Sequence, residues 1–233
     1  MRDTDPYEAW YRRRWVLPAA VVVGLLLGLA PAFLFAGIVL VLRGRRVLGG
    51  ALVGVGVALL AATVTLLVTT RPYRIPSAAM TPTLAVGDRI LATRGGGGSV
   101  GDIVVFYPPT GAGVDLRCGA RVPRGAMCSR PVPGIDRSTK FVKRIVAGPG
   151  DTVTLRRGHV LRNGRRVAEP YVTDCDTDCD FPRAIRVPPH HVFVLGDNRG
   201  SSADSRFWGP VPETAIIGHA VFRYWPLSRF GTP

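Results

Sequence analysis

Phe141-Val142-Lys143-Arg144-Ile145-Val146-Ala147-Gly148-Pro149-Gly150-Asp151 is the stretch on which the reading of this chain turns. Phe141, Val142, Ile145 and Val146 form a short apolar run, and Gly148 to Asp151 close it with turn residues, so a buried strand is predicted. Burial in apolar surroundings destabilises an ammonium and lowers its pKa, so a lysine at position 143 is set up to be neutral. A neutral amine takes the proton from a hydroxyl, which is a weak nucleophile until a base does so. Composition agrees: of 30 basic residues all but Lys140 and Lys143 are arginine. Arginine is never deprotonated at accessible pH, so a general-base position resists the replacement that 28 of the 30 cationic positions have accepted. Lys143 is the candidate base and Lys140 an ordinary surface residue.

Outward from that strand, the apolar period from Arg71 onward is two, or breaks into brief continuous runs. Ile103-Val104-Val105-Phe106-Tyr107, Val192-Phe193-Val194-Leu195 and Ala220-Val221-Phe222-Arg223-Tyr224-Trp225 read as strands. His159 to Arg162, then Asn163-Gly164, then Arg165 to Val167, reads as a tight hairpin, Asn-Gly being the strongest short turn signal. Capped helical runs are absent. The expectation is a mostly β domain of antiparallel sheets over 71–233, with Gly95 to Gly98 and Gly111 to Asp136 as loops the core can spare.

The N-terminal part has a different composition. No charged side chain occurs from Trp15 to Leu42, 28 residues, or from Val47 to Thr70, 24 residues, and a helix needs roughly 20 apolar residues to cross a bilayer core. Two transmembrane helices are therefore expected, 15–42 and 47–70, after a tail 1–14 and joined by the loop 43–46. A cleaved signal peptide, with Arg12 to Arg14 as its basic region and Ala30-Pro31-Ala32 as its cleavage site, is the rival reading. The apolar run continues unbroken past that site, which argues against it. Arg43, Arg45 and Arg46 favour a cytoplasmic loop, so the tail and everything after Thr70 are expected outside, although Arg12 to Arg14 pull the other way.

All four cysteines, Cys118, Cys128, Cys175 and Cys179, fall in that outer portion, which fits an oxidising compartment and two disulfides. Of three connectivities, sequence neighbours are preferred because each closes a short loop in Gly, Asp and Pro-rich sequence. Zinc and free thiols are the alternatives, but the spacings are not a knuckle pattern and no histidine lies nearby. The net charge of +14 comes from scattered arginines without a basic run interleaved with aromatics, so a basic surface near anionic lipid is the expectation and nucleic acid is not. None of the four histidines sits in a nucleophile-elbow context.

Two further stretches join the first: Ile75-Pro76-Ser77-Ala78-Ala79-Met80-Thr81-Pro82-Thr83-Leu84, and Gly196-Asp197-Asn198-Arg199-Gly200-Ser201-Ser202-Ala203-Asp204-Ser205-Arg206. In that order with Phe141 to Asp151, they resemble the signature boxes of the type I signal peptidases, membrane-bound Ser/Lys endopeptidases. The resemblance implies removal of signal peptides from exported preproteins, with Lys143 as base and no cofactor or metal. It implies that the Ser77 hydroxyl and the Ala79 N–H face the oxyanion, that Met80 packs beside the site, and that the Ser202 hydroxyl holds the lysine amine. Asp204 and Arg206 match a structural ion pair, and Asp197 and Asn198 a supporting turn. Where the family carries its nucleophilic serine this chain has Ala79. Three explanations are open: an inactivated peptidase, attack by Ser77 instead, or a cleft kept for holding peptides. The implied partners are signal peptides and the bilayer, and the implied location is the plasma membrane, multi-pass, with the C-terminal domain extracytoplasmic.

Overall fold

A computed structural model describes residues 29–112, 118, 126–172, 175 and 179–233. The chain divides between Thr69 and Thr70 into two compact units. The N-terminal tail and residues 15–28 of the first apolar run lie outside the described residues.

In the first unit, α1 (Leu29–Leu42) and α2 (Arg46–Thr69) are apolar helices joined at Arg43 to Arg45. Only α2, at 24 residues, is long and apolar enough to cross a membrane among the described residues. Among the described residues α2 is the one candidate span, and α1 is the described part of the first apolar run. The boundaries also move, since Arg46 is the first residue of α2 and not part of the loop. The two helices approach closely because their facing residues are small. A Cβ on Gly49 would come within 2.6 Å of the Gly37 carbonyl oxygen, and one on Gly56 within 3.0 Å of that of Ala30. Such contacts are how helices associate where lipid removes the hydrophobic drive between them. Leu48, Val57, Leu60, Leu67 and Val68 point outward and exposed.

The second unit starts at Thr70, one residue before the expected boundary, and is built from two antiparallel sheets. The larger holds β1 (Thr70–Arg74), β2 (Arg89–Arg94), β3 (Ile103–Phe106), β4 (Phe141–Ala147), β9 (His191–Leu195), β10 (Val211–Pro212) and β11 (Ile216–Trp225), in the order β1-β2-β11-β3-β4-β9-β10. The smaller holds β5 (Thr152–Arg156), β6 (His159–Arg162), β7 (Arg165–Arg166) and β8 (Phe181–Arg186), in the order β7-β6-β5-β8. The β6–β7 hairpin turns on Asn163 and Gly164 with φ of 54° and 77°, the pair of left-handed residues that a two-residue turn matching strand twist requires.

Val153, Leu155, Val160 and Ile185 of the small sheet pack on Val146, Phe193 and Leu195 of the large one. A second cluster gathers Val104, Phe106, Ile145, Val194 and Trp208, and a third gathers Ile75, Met80, Leu84, Ile90 and Val105. Two expectations change. The segment Gly111 to Asp136 is not expendable: Met127 is buried in the first cluster, and Val132 and Ile135 pack against the second. A short helix, α3 (Ser205–Trp208), stands where only loop was read, because Asp204 caps it by accepting the Arg206 N–H at 3.2 Å.

Candidate active site

Lys143 sits in the middle of β4, opposite Val104 of β3, in a strand buried from Lys143 to Ala147. Its side chain opens into a cleft of about 320 Å³ whose walls include Ile75, Ser77, Ala79, Met80, Phe141 and Val142. Burial lowers the Lys143 pKa from 10.5 to about 8, assisted by the Arg206 charge and opposed by Asp204 and Asp197. Among the described residues the amine has no hydrogen-bond or ion-pair partner; the Phe141 ring lies 5.8 Å from it.

The opposite wall is a single 3-10 turn, Ala78–Met80. Pro76 and the extended Ser77 lead the chain into it from β1, and it is seated by Met80, 1% exposed, in the core cluster with Ile75 and Leu84. Ser77 is exposed on the cleft and its hydroxyl makes no capping hydrogen bond. Asn198 fastens the turn from the other side, its backbone N–H donating to the Ala79 carbonyl at 3.1 Å and its side-chain amide to that of Ala78 at 3.2 Å.

The third component is the segment from Gly196 to Trp208. Asp204, fully buried, accepts from Arg206 Nε at 2.8 Å and Nη2 at 2.9 Å and from the Gly196 N–H at 3.1 Å. Burial alone would raise its pKa, but Arg206, Lys143 and the Gly196 N–H more than offset that, so its carboxyl is held below the usual range. Asp197 takes a two-pronged contact from Arg144, with Nε at 2.9 Å and Nη2 at 2.8 Å, while Arg144 Nη1 donates to the Gly101 carbonyl at 2.8 Å. Neighbouring residues of β4 point to opposite faces of the sheet, so Lys143 faces the cleft while Arg144 braces the turn that follows β9.

Three assemblies thus converge: a buried lysine of depressed pKa, a turn bearing backbone N–H groups, and a carboxylate-guanidinium brace. The sequence profile of the family described as signal peptidase, peptidase S26, matches residues 49–225. The chain belongs to that family. A probable signal peptidase I-1 of Synechocystis sp. is 40% identical over 164 residues, covering 69% of this chain and 74% of that protein. A signal peptidase I of Leptolyngbya laminosa is 36% identical over 161 residues, covering 67% and 70%. A probable thylakoidal processing peptidase 2 of Arabidopsis thaliana is 40% identical over 162 residues, which is 68% of this chain but 39% of that protein.

Of the residues that the resemblance to signal peptidases singles out, Lys143, Ser77, Ala79 and Met80 line one cleft, and Asp204 pairs with Arg206 behind it. Ser202 departs from expectation. Its hydroxyl is buried yet has no hydrogen-bond partner, so the bond expected to hold the Lys143 amine is not made. Lys140, expected as plain surface, is exposed but also lines the rim of the cleft.

The disulfides join Cys118 to Cys128 and Cys175 to Cys179, with Cα separations of 5.3 and 5.9 Å. Both touch the site's supporting segment. The Cys118 N–H donates to the Phe207 carbonyl at 2.9 Å, and Arg206 Nη1 lies 3.4 Å from Cys179 Sγ. Sequence reasoning missed Arg144 and the buried pair Arg199 and Glu169. An arginine inside an apolar strand was a visible signal for the first. Arg199 sits in a polar stretch, where nothing marks a buried charge, and Glu169 is a lone carboxylate between Ala168 and Pro170 whose burial depends on a partner 30 residues away.

Proposed function

We propose that this chain is a membrane-anchored endopeptidase that removes signal peptides from exported preproteins, with Lys143 as the general base. One observation carries the reading: an amine held near pKa 8 by burial opens into the same cleft as the Ser77–Met80 turn. A base poised near the working pH combines a usable neutral fraction with useful proton affinity. The preprotein carbonyl, seated against the Ala79 N–H and the Ser77 hydroxyl, develops its negative charge where those donors stand. The Ser77 and Asp204 sides of the site are held by Asn198 and Arg206 respectively. Apolar walls at Ile75, Met80 and Val142 suit the small residues that secretory signals present one and three positions before the cut.

The helix α2, followed at once by β1, supports attachment to the membrane in which signal peptides arrive, raising effective concentration without further contacts. Arg43, Arg45 and Arg46 favour the cytoplasm for the α1–α2 connection and so an extracytoplasmic β domain on a multi-pass anchor in the plasma membrane. The reaction uses no cofactor, and the partners are the preprotein and the bilayer.

Ala79 favours a second reading. It offers no oxygen to form an acyl-enzyme, and Ser77, the residue before the turn, reaches Lys143 only by giving up its oxyanion role. The cleft then holds a signal peptide without cutting it. Mass-spectrometric detection of preprotein cleavage in proteoliposomes separates the readings. Ala79→Ser is predicted to raise cleavage by roughly 10⁴-fold or more, and Lys143→Ala in that background to abolish the gain. Equal, undetectable cleavage by both the chain and Ala79→Ser contradicts the peptidase reading. Cleavage by the unaltered chain that Ser77→Ala removes assigns attack to Ser77.

A further inference from the structure

Glu169, on the segment that follows β7, has no part in the roles assigned above. Its carboxylate is fully buried, accepts the Val160 N–H at 2.8 Å, and stands 2.6 Å from Arg199 Nη2. His159 Nδ1 lies 3.9 Å away on its partly exposed side. Desolvating two charges offsets much of their mutual attraction, so a pair this buried is weak evidence for stability and is better explained by what it fixes.

The guanidinium of Arg199 has other duties. Its Nε donates to the Gly196 carbonyl at 3.0 Å and its Nη1 to that of Gly158, while Arg206 Nη2 donates to the Arg199 carbonyl at 2.8 Å. Gly196 is consequently held at both ends of its backbone, by Arg199 at the carbonyl and by Asp204 at the N–H. Gly196 is also where the two walls of the site meet. A Cβ placed on it would collide with Ser202 Oγ and with the Ala79 carbonyl oxygen. A small movement of Gly196 therefore moves the hydroxyl and the turn that close over Lys143.

We propose that Glu169 is a positioning residue: acting through Arg199, it fixes Gly196, and with it Ser202 and the Ala79 turn, around the Lys143 amine. The inference rests on the reading of Lys143 as the base. It makes the small sheet a structural part of the lysine site.

The chain's two lysines allow a readout independent of turnover. With ¹³Cε-labelled lysine, the full chain in nanodiscs gives two side-chain signals, and the Lys143 titration is followed by NMR. Glu169→Gln keeps the shape and removes the charge. The expected result is a Lys143 midpoint raised by at least half a pH unit, because a loosened Gly196 turn admits water to the amine. Loss of a nearby negative charge acts through space in the opposite direction, lowering a lysine pKa, so the sign of the shift separates positioning from direct electrostatics. Glu169→Asp, which keeps the charge at shorter reach, is expected to shift the midpoint in the same direction. An unchanged or lowered midpoint in folded Glu169→Gln overturns the proposal. Loss of the folded state in both variants, read by circular dichroism, also overturns it, since the pair then holds the fold and not the site. A Lys143 midpoint at the ordinary lysine value in the unaltered chain would instead defeat the reading of Lys143 as base.

Discussion

Lys143 is where the chemistry and the stability of this protein oppose each other. Its folded pKa, about 8, lies below the 10.5 of an exposed lysine, so at neutral pH the folded state must hold a proton in a place that resists one. Between pH 8 and 10.5 the unfolded chain binds more protons than the folded one, and stability from this group rises with pH across that window; below pH 8 the penalty is fully present. Lys143→Met is accordingly predicted to stabilise the folded domain at pH 7, by on the order of 2 kcal/mol, and to flatten the pH dependence of its thermal unfolding between pH 8 and 10.5. A calorimetric scan in which Lys143→Met melts lower than the unaltered chain at pH 7 would show that the amine is not desolvated. At this scale much was legible. A lysine flanked by Phe141, Val142, Ile145 and Val146, in a chain that otherwise uses arginine, stands out without coordinates. Glu169 and Arg199 do not, because a single charge does not show in sequence whether it is solvated or paired with one 30 residues away, and only the fold decides.

At the scale of elements, local chemistry and distant pairing separate what a sequence shows from what it hides. The Asn163-Gly164 turn was legible because both residues tolerate left-handed backbone and the strands on each side alternate. Gly164 has φ of 77° and open space around it, so Gly164→Ala is predicted to cost about 1 kcal/mol through backbone strain alone, measured by urea unfolding. A neutral effect would mean that this turn does not hold the small sheet. In contrast, the order β1-β2-β11-β3-β4-β9-β10 places β11 between β2 and β3, more than a hundred residues away in sequence. Alternation announces a strand, but its neighbours are chosen by long-range packing that no local period records. The helix α3 was hidden for a related reason: Asp204 looks like one more polar loop residue until its side chain is seen accepting the Arg206 N–H. The segment holding Met127 and Cys128 read as spare loop because Pro and Gly dominate it, yet those two residues are buried.

The molecule as a whole combines an apolar helical unit, packed through Gly37, Gly49 and Gly56, with a β unit whose cleft is lined by β4, the Ser77–Met80 stretch and Ser201 and Ala203. The absence of acidic and basic side chains from Val47 to Thr70 made a candidate span visible from composition, whereas the pairing of α1 with α2 depends on small residues whose spacing was not read. What the whole provides to the site is dryness: β4 sits inside the larger sheet, Met80 plugs the turn into the core, and the Gly196 segment is braced from behind by Arg144, Arg199 and Arg206. The most direct test of that statement is the titration of Lys143 in the unaltered, membrane-reconstituted chain, followed through its ¹³Cε resonance. A midpoint near 8 is the result predicted here; a midpoint at 10.5, the value of a lysine in open water, would contradict the account at its centre.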